Sequence, residues 1–170
     1  TKDISDNTLL RIRGIGESAD ADHLTHPQPE GIGAKKAMLN ALTDADLSSE
    51  DIDYLNLHGT GTPLNDSMES IAVNDVFPKS IPVSSTKALT GHTLGGAAAL
   101  ELAFAALTLS QKNDNSFLPV HLWDKEYDSN LPKLHFVEKG FKATRLNTIM
   151  SNSFGFGGCN VSLIMDKINS

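Results

Sequence analysis

Apolar and polar positions fall into runs of three kinds along this chain. Leu9–Ile15 (LLRIRGI) alternates apolar and basic residues, which predicts a strand with one wet face. Ile52–Leu57, Ile81–Ser84, Thr148–Ser153 and Asn160–Met165 are short, Ile-, Leu- and Val-bearing runs bounded by turn residues, and they predict four more strands. Ile32–Leu42 carries Ile32, Ala34, Met38, Leu39 and Leu42 at helical spacing, so an amphipathic helix is expected there. A second helix opens at Asn65 and runs to about Val76, with Asn65 or Asp66 as its cap and Glu69 as the acid of a capping box. Pro78 ends it. Ser48–Asp51 reads as the cap of a brief helical turn. The third kind of run is Thr93–Leu109, apolar on every side with Glu101 as its one charge, which predicts a central, buried helix. A membrane span needs about 20 apolar residues with no charge in mid-span, so that alternative fails.

Polar stretches separate these runs. Residues 1–7 are polar and expected to fray. Glu17–Pro29 reads as a loop, and Gln111–Pro132 as a long surface loop with Trp123 tucked beneath it. Phe154-Gly155-Phe156-Gly157-Gly158 reads as a reversal between the last two strands, with residues at positive φ. The element order is therefore β-α-β-α-β-α-β-β. The expected fold is α/β, a mixed five-stranded sheet with helices on both faces, in one domain spanning residues 1–170.

Charge and cysteine content narrow the partners. A net charge of −7 argues against nucleic acid or an anionic membrane, both of which favour a basic face. One cysteine, Cys159, excludes an internal disulfide and a multi-cysteine metal site; it is expected to be a small, semi-buried packing residue. His23 and His26 lack companions at metal-ligand spacing. With no leader-like or membrane-spanning segment the expected compartment is the cytoplasm, and the chain begins at Thr1 rather than Met, as a fragment would.

Candidate chemistry gathers where strands end: at His58, at the turn from Lys87 to His92, and at the loop around Phe156. In open α/β sheets, sites form at the carboxyl ends of strands. Two neutral imidazoles aimed at one carbonyl oxygen would stabilise an enolate, each donor contributing about 3–4 kcal/mol. A Lys87 ammonium nearby would keep both rings neutral, and a buried Glu101 would hold that lysine charged. Ser84 or Ser85 beside Lys87 suggests a Ser–Lys pair, but the companion motifs of such enzymes are absent.

Three motifs carry a resemblance. His58-Gly-Thr-Gly-Thr-Pro-Leu-Asn-Asp66, Ser85-Thr-Lys87-Ala-Leu-Thr-Gly-His92 and Asn152-Ser-Phe-Gly-Phe-Gly-Gly158 together resemble the β-ketoacyl-[acyl-carrier-protein] synthases, in particular the elongating, fatty-acid-type condensing enzymes of bacteria. The likeness extends over about residues 8–166 and corresponds to the C-terminal half of that family's protein. It implies a thiolase-like half-fold, an intact homodimer, and a nucleophilic cysteine in the other, N-terminal half.

The resemblance also implies roles. His58 and His92 would bind the malonyl thioester carbonyl and assist decarboxylation, with Lys87 the catalytic lysine and Glu101 its structural acid. Thr60 and Thr62 would grip the phosphopantetheine arm of an acyl carrier protein. The Phe156 N–H would complete an oxyanion hole, and its ring would gate the acyl pocket. Asn56, Glu101, Ser151 and Asn152 fall where some relatives hold a monovalent cation. No other cofactor is implied. The family's carrier-protein docking patch is basic, so docking is expected largely outside this acidic half. The rivals are a polyketide ketosynthase, a non-catalytic chain-length partner (such relatives tend to lose the histidines), and an interaction module with His58 and His92 far apart.

Overall fold

The computed structural model describes residues 10–168. The polar stretch 1–7 and the first residue of the predicted first strand, Leu9, lie outside the described residues. Strands β1 (Leu10–Ala19), β2 (Tyr54–Asn56), β3 (Pro82–Ser84), β4 (His135–Phe136), β5 (Thr148–Phe154) and β6 (Cys159–Lys167) form one sheet in the order β1-β6-β5-β2-β3-β4. Helices α1 (Ile32–Ala45), α2 (Pro63–Val76), α3 (Lys87–Thr90) and α4 (Ala97–Leu109) connect them. β2, β3, β4 and β5 run parallel, whereas β6 is antiparallel to both β5 and β1.

The fold class is α/β, with one strand more than the five expected. β4 is only two residues long, too short to show alternation, and it pairs with Pro82 and Val83 at the sheet edge. Helices do cover both faces. Met38, Ala41 and Leu42 of α1 and Met68, Ala72 and Val73 of α2 pack on one face with Leu55, Val83, Met150 and Ile164. Tyr54, Ile149 and Met165 on the other face receive Ala105 and Leu109 of α4. Each such buried Leu, Ile or Met contributes about 1.5–3 kcal/mol.

β1 departs from its expected form in length and in facing. It continues through Glu17–Ala19, which the sequence pattern assigned to a loop, because β6 pairs with it as far as Ala19↔Cys159. A register shift between Ile12 and Gly14 turns Ile12 and Ile15 outward, 41% and 50% exposed. Gly14 and Gly16 face α1 instead, where a Cβ on Gly16 would collide with the Ala37 carbonyl and the Ala41 amide. Arg11 and Arg13 both reach Asp166 of β6, at 2.8 and 2.9 Å.

α4 is also buried differently from expectation. Ala97, Glu101, Ala105, Thr108 and Leu109 face the sheet, while Leu107 is 62% exposed and Ala99 and Ala103 lie open on the opposite side. A helix apolar all round asks for two surfaces; the described residues supply one. No helix among them is long and apolar enough to cross a membrane.

Candidate active site

Parallel pairing of β5 with β2 and of β2 with β3 brings the carboxyl ends of three neighbouring strands to one edge. Asn56 at the end of β2 leads to His58, Ser84 at the end of β3 leads to Lys87, and Phe154 at the end of β5 leads to Phe156. The Lys87 turn is the single helical turn α3, closed by Gly91 at φ 72, and His92 follows it. Sheet order thus brings to one edge the strand ends that lead to residues 58, 87 and 156, which are far apart in the chain.

The two imidazoles converge. Their ring centroids lie 5.5 Å apart with planes at 83°, and the ring of Phe154 backs His58 at 5.7 Å. His58 is buried and His92 exposed. Burial, then Lys87, then His92 push the His58 pKa down to about 3. Burial and then Lys87 also lower that of His92. Both rings are therefore neutral at neutral pH, with desolvation the larger cause and the lysine charge the smaller. His92 Nδ1 accepts the Leu94 N–H at 3.3 Å, so its neutral ring carries the proton on Nε2. His58 Nδ1 is buried with no protein partner.

Behind the rings, the buried Lys87 ammonium and Glu101 carboxylate form an ion pair through Nζ and Oε1. Burial pushes the Glu101 carboxyl up, against the pull of Lys87. Its Oε2 has no partner. The Ser–Lys alternative fails on contacts: Ser84 Oγ meets the Tyr54 hydroxyl at 2.5 Å, and Ser85 Oγ donates to the Gly59 carbonyl at 2.7 Å. Lys87 Nζ, meanwhile, is bound to Glu101.

Glu69 is the residue that sequence reasoning misplaced. The cap of α2 is Thr62 with Pro63 in the first turn and no side-chain capping bond, so Glu69 belongs to the second turn and faces inward. There its Oε1 accepts the His58 N–H and its Oε2 the Gly59 N–H, each at 2.8 Å. Asn65 and Asn152 donate to the same carboxylate, each at 3.3 Å. A signal was present: Asn65, Met68, Glu69, Ala72, Val73 and Val76 form one buried helical stripe.

The remaining candidates divide. Thr60 and Thr62 place their hydroxyls 3.0 Å apart, and Thr60 lines the same cavity as Lys87 and His92. Phe156 lies in a helical turn with its ring 77% exposed, and Phe154 is the phenylalanine that touches His58. Of the four cation candidates, Asn56 donates to Ser151 Oγ at 3.2 Å, and Glu101 carries its unpartnered Oε2. Asn152 follows Ser151 on β5 and points to the opposite face, towards Met38, Glu69 and Ser162. Cys159 is exposed at the start of β6, not semi-buried as expected, because the strand begins at the turn's surface. His23 and His26 stack at 4.4 Å, with His23 Nδ1 accepting the amides of Thr25 and His26. Among the described residues no group of three or more His, Cys, Asp or Glu is placed to hold a metal ion.

A cavity of about 540 Å³ opens beside the site, lined among others by Thr60, Lys87 and His92 and by His121, Trp123 and Tyr127 of the long loop. Of the two rings and the ion pair, His92 and Lys87 line the cavity, and the neutral His58 ring lies 5.5 Å from that of His92. Two neutral ring donors near a buried ion pair suit stabilisation of negative charge on a carbonyl oxygen.

The sequence model described as "Beta-ketoacyl synthase, C-terminal domain" matches residues 9–118. The chain belongs to the β-ketoacyl synthase family. It is 40% identical to 3-oxoacyl-[acyl-carrier-protein] synthase 2 of Coxiella burnetii, an alignment covering 92% of this chain and 37% of that protein. Among solved structures it resembles a ketosynthase (ApeO) bound to its chain length factor (ApeC) from Xenorhabdus doucetiae, with TM-score 0.85 and 44% identity over 94% of this chain and 39% of that one. A β-ketoacyl synthase of Burkholderia phymatum gives TM-score 0.84 and 34% identity over 94% and 38%. The fold is accordingly a thiolase-like α/β half, and the chain spans about two fifths of the length of these synthases.

Proposed function

We propose that this chain supplies the malonyl-binding side of a condensing enzyme that elongates an acyl chain by decarboxylative Claisen condensation in fatty acid biosynthesis. One observation carries this reading: the neutral rings of His58 and His92 meet at 5.5 Å in front of the Lys87–Glu101 pair. A malonyl thioester held by Thr60 and Thr62 through its phosphopantetheine arm presents its carbonyl oxygen to one ring N–H of each histidine. Loss of CO2 leaves the electron pair in an enolate, whose oxygen the two donors stabilise by about 3–4 kcal/mol each. Its carbon attacks the acyl thioester on a cysteine from the part of the protein this chain does not span, and the thiolate leaves. The Phe156 N–H joins that cysteine's own N–H around the oxyanion, and the Phe156 ring gates the acyl pocket. The partners are an acyl carrier protein and a second copy of the intact enzyme.

A monovalent cation suits Glu101 Oε2, a buried carboxylate oxygen without a hydrogen-bond partner. Asn56 and Ser151 would complete its surroundings, with Asn152 contributing main-chain atoms, and its charge would fix the Glu101 carboxylate.

The test is malonyl-carrier-protein decarboxylation by the intact protein. His58→Ala or His92→Ala should abolish it while acyl transfer onto the cysteine survives; joint loss of both activities would overturn the assignment. A second reading, polyketide assembly with a chain-length partner, is favoured by the 44% identity to a ketosynthase that carries one. Its signature is activity only after co-expression with such a subunit.

A further inference from the structure

The loop that follows α4 contributes a third histidine to this region, outside the three motifs. His121 Nδ1 accepts the N–H of Ser85 at 3.1 Å, at the point where β3 gives way to the Lys87 turn. A backbone N–H at a buried strand exit requires an acceptor, and here an imidazole provides it. Ser85 is itself a junction. Its Oγ donates to the Gly59 carbonyl at 2.7 Å and receives the Lys87 N–H at 3.3 Å. One serine therefore joins the loop bearing His58 to the turn bearing Lys87 and His92, and His121 holds that serine's backbone.

The ring is held in turn. It stacks on Phe136 at 4.3 Å and 11°, with Trp123 at 6.1 Å. The main-chain N–H of His121 donates to the Val137 carbonyl, and the Val137 main-chain N–H to that of Val83 in β3, each at 2.9 Å. The support closes a circuit from β3 through the long loop back to the residue after β3. Because Nδ1 accepts, the neutral ring carries its proton on Nε2.

We propose that His121 is a positioning residue for the condensing site: by accepting the Ser85 N–H it sets the His58–Gly59 loop and the Lys87–His92 turn relative to one another, and so the convergence of the two catalytic rings. The role rests on the proposed function, and the experiment reads geometry and activity separately.

His121→Phe keeps a flat ring for Phe136 and removes the acceptor; His121→Asn returns an oxygen close to the Nδ1 position. In the intact protein, amide hydrogen exchange at Ser85 should quicken about tenfold in His121→Phe and return to the wild-type rate in His121→Asn. Malonyl decarboxylation should lose about 10- to 100-fold in kcat with KM little changed in His121→Phe, and His121→Asn should recover most of it. Unchanged Ser85 exchange in His121→Phe, or equal impairment of both variants, overturns the positioning role. Altered exchange in a protein whose wild type decarboxylates nothing keeps the contact and overturns the condensing function instead.

Discussion

Glu69 accepts the backbone N–H groups of His58 and of its neighbour Gly59, one on each carboxylate oxygen at 2.8 Å. The loop that carries the buried imidazole is thus clamped by an acid eleven residues further on, in the second turn of α2. Charged acceptors form stronger hydrogen bonds than neutral ones, and a donor left alone in the interior costs the full desolvation of that group.

Glu69→Gln is expected to leave one of those two N–H groups facing an amide NH2. Urea unfolding should show a loss of about 1–3 kcal/mol. Malonyl decarboxylation should fall about 100-fold through misplacement of His58. Full activity in a stably folded Glu69→Gln protein would show that the clamp does not orient the ring.

The legible parts of this fold are those where two signals coincide. Strands β2, β3 and β5 end in glycine- or serine-bearing turns with His58, Lys87 and Phe156 close behind, so both element and site could be read together. A Glu three residues after Asp66 satisfies a capping pattern, and only the buried stripe from Asn65 to Val76 reveals that Glu69 faces inward. β4 is two residues long and shows no period at all. His121 belongs to no motif; a polar loop hides it, and only its 3.1 Å contact with Ser85 exposes it. For α4, composition records that a helix wants covering and not which surface covers it.

The Lys87–Glu101 pair predicts a non-additive result. Lys87→Met alone strands a buried carboxylate and should cost about 3–5 kcal/mol. Lys87→Met combined with Glu101→Leu removes both charges and should recover much of that stability, while decarboxylation stays lost. Equilibrium denaturation of the two single variants and the double variant measures the coupling; strict additivity would deny the pair.

The depressed His58 pKa makes a pH prediction whose sign is fixed. The group binds a proton near 6.5 when unfolded and near 3 when folded. The unfolded chain takes up protons first on acidification, so the stability His58 contributes is complete above pH 6.5 and lost as pH falls towards 3. Between those limits the slope is about 1.4 kcal/mol per pH unit for one histidine. Urea midpoints from pH 6.5 to 4 should fall more steeply for the wild type than for His58→Gln. Parallel curves would mean the ring is solvated in the fold.

Gly16 carries a structural prediction independent of chemistry. A Cβ there meets main-chain atoms of Ala37 and Ala41, which cannot move aside as a side chain can. Gly16→Ala should therefore lift β1 from α1 at a cost of about 3 kcal/mol. The same change at Gly61, which has nothing within 4 Å, lacks this clash but bears positive-φ strain at φ 72. That strain should cost about 1–2 kcal/mol. Calorimetric midpoints that rank the two variants the other way round would contradict the packing of β1.

Phe156 separates function from stability. Its ring is 77% exposed, so Phe156→Ala removes little packing and should change unfolding free energy by less than about 0.5 kcal/mol. A gate acts through where the ring can swing, and the adjacent Gly157 and Gly158 at φ 76 and 74 give the turn a backbone that side-chain-bearing residues rarely adopt. Removing the ring should therefore alter the acyl-chain-length profile of the products while the fold persists. An unchanged profile from a fully active Phe156→Ala enzyme would refute gating and leave only the Phe156 N–H with a part in the reaction.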